Sequence, residues 1–221
     1  MICNELVNGQ HRRSVGDHDN EHINLGRYHR LPLVTRKLIS GWFTLASTRL
    51  ENDEYNCFEA FIFAWIAFNG WASCISGIDQ DRTLILALKK YEPISTKFEE
   101  MFDSDACFRS YATQFSQFWP IFEVKSTRRV HYEGDDDREK IIKLYFDLGA
   151  TIYSPPCWER HKTQGPKIPV DWPHTLDALY RVRCNLFHGE KALSSENDKR
   201  IVSYAAHTLV YFLQGSNYLE L

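Results

Sequence analysis

Residues Asn56 to Ile78 form the most hydrophobic stretch of the chain, and they constrain its fold more than any other segment. Phe58, Phe61, Ile62, Trp65, Phe68, Ala72 and Ile75 recur at helical intervals, so in a helix they share one broad face. Phe63 and Ile66 carry apolar surface around much of the rest. A helix apolar on most sides has to be buried in protein or in lipid. Its length is near that of a membrane span. Glu59, Asn69 and Ser73 interrupt it, however, and no basic flank sets an orientation. The reading is a central core helix around which other helices assemble, in a chain that does not engage a membrane. Asn69 is polar on this apolar element and needs hydrogen-bond partners. A bond to a neighbouring helix's backbone is one role for it, and orienting an active-site histidine is another.

The chain has 221 residues, enough for one domain with extensions. A hydrophobic content of 43% with 14% aromatics can fill a core of that size. The net charge of −3 excludes nucleic-acid binding by overall basicity, so any RNA contact must come from a local patch. The six cysteines contain no Cys-x-x-Cys pair, and the N-terminus carries no secretory signal pattern. They are expected to be cytosolic thiols, and the protein to be cytoplasmic.

Two segments are expected, an irregular N-terminal arm over residues 1–32 and a helical domain over 33–221. The arm's His11, His18, His22 and His29 are too irregularly spaced to read as a metal site. Leu38, Trp42, Leu45 and Ala46 mark a helix from Leu33 to Leu50, and Glu51 to Glu54 break it. Helical runs follow over Asp81–Tyr91 and Ser95–Trp119, divided by Pro93. The aromatic series Phe98, Phe102, Phe108, Tyr111, Phe115 and Phe118 has helical spacing and reads as core rather than as a base-stacking surface. Lys125 to Asp137 reads as a charged loop holding Lys125, Arg128 and Arg129. Asp135, Asp136 and Asp137 then supply negative charge to the start of a helix running to about Gly149. Residues 150–172 form a long proline-rich connection carrying Trp158, Arg160, His161, Lys162 and Lys167. Such a loop either contacts RNA or lies across the bundle. A last helix runs from about Glu196 to Leu213, capped by Ser194 or Ser195. No strand-type alternation is evident. The fold class is all-α, a bundle of five or more helices.

The candidate site lies in Tyr180-Arg181-Val182-Arg183-Cys184-Asn185-Leu186-Phe187-His188-Gly189. Leu176, Leu179, Tyr180, Leu186 and Phe187 keep the helical period, and Gly189 is the residue expected just past a helix end. Arg183 falls within this apolar series, so it calls for a charged partner, a subunit interface or an anionic ligand. His188 stands where the helix stops.

Arg183 to His188 has the form Arg-x4-His, which resembles the motif of the HEPN superfamily of helical nucleotide-binding and RNA-cleaving domains. The stretch Trp65 to Trp71 is similar to the first long core helix of some of its prokaryotic members. The resemblance implies a HEPN-like bundle that forms a homodimer, with two Arg-x4-His segments facing one cleft. It implies a metal-independent endoribonuclease of toxin or defence type, with RNA as substrate and with an antitoxin or other regulatory protein as partner. No cofactor and no metal are expected. Arg183 and His188 would be catalytic, with Asn185, Arg181 and Asn69 supporting or binding substrate. Arg181 would also satisfy a looser Arg-x6-His form. The family often has Asn directly after the arginine, whereas this chain has Cys184 there and Asn185 next. Its His188-Gly189-Glu190 lacks the His-x-Tyr continuation that a partner nucleotidyltransferase modifies in some toxin members.

The chemistry fits these residue types. RNA is cut without metal when its own 2′-hydroxyl attacks the adjacent phosphorus, leaving a 2′,3′-cyclic phosphate. A base, an acid and positive charge on the phosphorane are required. Histidine titrates near neutral pH and can move the protons, while arginine stays charged and holds phosphate oxygens in a fork. Two other readings remain at this point. One is a catalytically inactive bundle that binds RNA or a protein. The other is a zinc site built from Cys157-x3-His161 and Cys184-x3-His188.

Overall fold

The structure is a computed structural model that describes residues 23–52, 56–123, 138–164, 167–189, 191 and 195–220. Its described residues form ten helices and one two-stranded sheet, an all-α bundle. The arm histidines His11, His18 and His22, the basic cluster at Lys125, Arg128 and Arg129, and the aspartates Asp135 to Asp137 lie outside the described residues.

Helix α3 (Cys57–Ser76) is the centre. Phe61, Phe68 and Trp71 are fully or almost fully buried on it, as its apolar pattern requires. It is long and apolar enough to cross a membrane, and 56% of that apolar window is buried inside the fold, with Ile62, Phe63 and Ile66 only partly covered. It ends at Gly77, whose φ of 71° and N–H bond to the Ser73 carbonyl close the last turn.

Helix α2 (Leu33–Asn52) lies along α3, and so does the final helix α10 (Glu196–Ser216). The Ser195 hydroxyl caps α10 by accepting from the Asp198 N–H at 3.2 Å. In α2 the inward face is Ile39, Trp42, Phe43, Ala46 and Leu50. Leu38, one of the residues that marks the helix in the sequence, is 64% exposed. The end of the expected arm is not irregular. A short helix α1 (Gly26–His29) buries Tyr28 completely, and the Asn24 N–H donates to the Ile75 carbonyl at 2.9 Å. The bundle therefore begins by residue 23, before the expected boundary.

The run after α3 divides into α4 (Asp81–Lys90), α5 (Glu92–Ser104) and α6 (Ala106–Ser116). Pro93 sits in the first turn of α5, where its missing N–H costs no helical bond. The expected run over Ser95–Trp119 is broken at Asp105, whose carboxylate accepts from the Cys107 and Phe108 N–H groups and starts α6. Phe98, Phe108 and Phe115 are fully buried.

A small antiparallel sheet was not expected from the sequence. Strand β1 (Ile121–Phe122) pairs with β2 (Tyr153–Ser154), with Ile121 opposite Ser154 and Phe122 opposite Tyr153. Two residues per strand are too few to show alternation. Between them lies α7 (Arg138–Asp147). The long connection at 150–172 is also less irregular than its prolines suggest, since it holds β2 and the short α8 (Trp158–Gln164). Helix α9 (Trp172–Phe187) follows, capped by Asp171, with Pro173 in its first turn. It packs against α4, α5, α10 and the sheet. Trp172 anchors its start, stacking on Phe212 at 4.7 Å and donating from Nε1 to the Leu88 carbonyl at 2.9 Å.

Candidate active site at the end of helix α9

The buried face of α9 is Trp172, Thr175, Leu176, Ala178, Leu179, Val182 and Asn185. This series turns the helix slightly from the face the sequence suggests. Arg183 stands beside the stripe, and Phe187 is 52% exposed rather than core. Arg183 has the charged partner that its setting demanded. Its Nη2 lies 2.7 Å from Oδ2 of Asp81, the first residue of α4. The guanidinium also lies 4.7 Å from the centre of the Phe187 ring, one turn on. Its Nε is buried and has no hydrogen-bond partner among the described residues.

Tyr180 and Cys184 complete this side of the helix. Their side chains hydrogen-bond, and burial, followed by the nearby Cys184 thiol, pushes the Tyr180 phenol pKa up. Trp65 of α3 meets Tyr180, with ring centres 6.1 Å apart.

The supporting residues go to different places. Arg181 and Arg183 are two positions apart, about 200° around the helix. Arg181 therefore points elsewhere, pairing through Nη1 with Oε1 of Glu123 at 2.8 Å, just past β1. Asn185 is 1% exposed, and its Nδ2 donates to the Phe122 carbonyl at 2.8 Å. It ties the motif helix to β1. Asn69 makes no hydrogen bond to either motif residue, and its buried Oδ1 accepts none among the described residues. Its neighbour Phe68 packs on Trp172 at the start of α9, away from His188. Of the two roles open to Asn69, orienting His188 has no hydrogen bond behind it among the described residues.

His188 is the C-cap of α9, and it is exposed. Its N–H still donates to the Cys184 carbonyl at 3.1 Å, while Gly189 turns the chain away at a φ of 67°. The imidazole therefore stands at a helix end, outside the packed core. One chain accordingly presents an anchored arginine and an exposed histidine five residues apart at the end of α9.

Cys157, His161, Cys184 and His188 do not converge. Among the described residues, no group of three or more His, Cys, Asp or Glu side chains is placed to hold a metal. The free thiols Cys57, Cys74, Cys107, Cys157 and Cys184 form no disulfide. The residue that sequence reasoning missed is Asp81. It lies about a hundred positions before its partner, and no local pattern marks it.

No protein-family model matches the chain, and no curated protein or solved structure matches it significantly.

Proposed function

We propose that the protein is a HEPN-type, metal-independent endoribonuclease that acts as a homodimer in the cytoplasm, away from membranes. The observation that carries the reading is the contrast within Arg-x4-His. Arg183 is held in place by Asp81 and Phe187, with its Nε–H unpaired among the described residues, while His188 stands exposed at the helix end. In the dimer, two such ends face one cleft. One His188 takes the proton from the 2′-hydroxyl as it attacks phosphorus, and the other gives a proton to the departing 5′-oxygen. Arg183 neutralises the phosphorane oxygens. The products are a 2′,3′-cyclic phosphate and a free 5′-hydroxyl. The biological setting is a toxin or defence effector kept in check by a protein partner.

A second reading has an observation in its favour. The Arg183–Asp81 pair is one that a purely structural arginine would make, as in an inactive bundle that binds RNA or protein. The two readings part in one experiment. Wild type, Arg183→Ala and His188→Ala are incubated with total RNA in EDTA, and the product ends are mapped. We expect cyclic phosphate ends from wild type and a rate lower by about 10²–10⁴-fold in folded His188→Ala. Arg183→Lys is expected to stay impaired, because an ammonium keeps the charge but loses the fork. Cutting that requires added metal and leaves a 3′-phosphomonoester would overturn the mechanism. Absence of cutting by wild type would favour the binding bundle.

A further inference from the structure

A cavity of about 670 Å³ lies between the end of α6 and the segment from α8 to α9. Its volume is within the range that takes a nucleotide-sized ligand. Trp119 and Trp158 both line it, with Ser116, Gln117, His161 and Lys167 among the polar residues around them. This mixture of aromatic surface, neutral hydrogen-bonding groups and cationic or protonatable groups suits one nucleotide better than a purely apolar ligand.

Two observations sharpen this. Trp119 is 6% exposed, and its buried Nε1–H has no acceptor among the described residues. Indole N–H is a donor only, so the wall of the cavity contains an unsatisfied donor just beneath its surface. Trp158 is held in plane by Phe146, with ring centres 5.6 Å apart and planes 15° apart. A tryptophan fixed in this way is a prepaid stacking surface, since little side-chain freedom remains to be lost on binding.

The cavity is also joined to the motif. Trp119 precedes Phe122 by three residues, at most about 11 Å of extended chain. The Phe122 carbonyl holds Asn185, between Arg183 and His188.

We propose that this cavity is a nucleotide subsite for single-stranded RNA: a base stacks on Trp158 with the Trp119 indole in the wall beside it, while Lys167 and His161 meet its phosphate. The choice of RNA as ligand rests on the ribonuclease reading. The test does not depend on cleavage. A fluorescein-labelled, single-stranded 2′-O-methyl RNA decamer, which cannot be cut by 2′-hydroxyl attack, is titrated into the full chain, and its anisotropy is followed at several salt concentrations. Trp158→Ala is expected to weaken binding at least about fivefold, the loss of one stacked base. Trp119→Phe keeps a ring without the donor and should weaken it less. Lys167→Ala removes an exposed cation, so it should fold normally and flatten the salt dependence by about 0.7 in log–log slope.

Wild-type affinity and salt slope in folded Trp158→Ala and Lys167→Ala would overturn the subsite, as would no binding by wild type. The two proposals fail separately. RNA cutting that depends on His188, with cavity variants that bind normally, removes the subsite and leaves the nuclease. Binding that depends on Trp158 and Lys167, with no cutting by wild type, removes the nuclease and leaves a nucleotide-binding cavity.

Discussion

Asn185 sits between the two motif residues, yet its side chain faces the core. Its amide is 1% exposed and satisfies the Phe122 carbonyl. Truncation would leave that carbonyl unpaired in a buried place, which costs about 1–3 kcal/mol. For a chain of this size, each kcal/mol lowers Tm by about 2–4 °C. Asn185→Ala should therefore melt earlier in a calorimeter, and any loss of RNA cleavage should follow from the displaced β1. Wild-type melting combined with lost cleavage would instead place the amide on the substrate. The sequence carries part of this. Arg183 was legible as an arginine needing a partner, because its neighbours are apolar. That the partner is Asp81 was not legible, because tertiary pairing over a hundred residues leaves no periodic trace. The role of Phe187 was misread for a related reason. Helical spacing assigns a face only to within a residue, and here the buried stripe turned toward Val182 and Asn185.

At the scale of elements, the strongly patterned helices were legible and the brief ones were not. α3 follows from its apolar run, and α9 from its stripe and its closing glycine. The sheet and α8 escaped because two strand residues and seven helical ones are too short to establish a period. Helix α2 shows what a pattern can hide. Its outward surface bears Val34 at 75% and Leu38 at 64% exposure, so apolar residues alone did not mark its buried side. Gly41 lies on this outer surface, and a Cβ there would meet no atom within 4 Å. Gly41→Ala should then gain helix propensity without strain, about 0.5–1 kcal/mol, read as a higher urea midpoint. A lower midpoint would mean that another surface covers this side of α2 in solution.

At the scale of the molecule, the proposed chemistry needs more than one chain offers. Each copy places one Arg-x4-His at the end of α9 (the other in its sequence, Arg13 to His18, falls in the N-terminal arm), while attack and departure call for a proton acceptor and a proton donor together. A symmetric dimer supplies both by placing equivalent residues across its axis. This makes inactive subunits poisonous in a countable way. Wild type and His188→Ala are mixed in equal amounts under conditions that let subunits exchange, and initial cleavage rates are compared with wild type at the same total protein. If both histidines are required, only wild-type pairs cut, and random pairing leaves about a quarter of the activity. If each chain carries a complete site, about half remains. Sedimentation of the mixture confirms that dimers persist, so that dissociation does not imitate the loss. A quarter would tie catalysis to the paired helix ends. Half would confine it to a single chain, and the second proton role would then have to be sought beside Arg183, where Tyr180, Cys184 and Asp81 already gather.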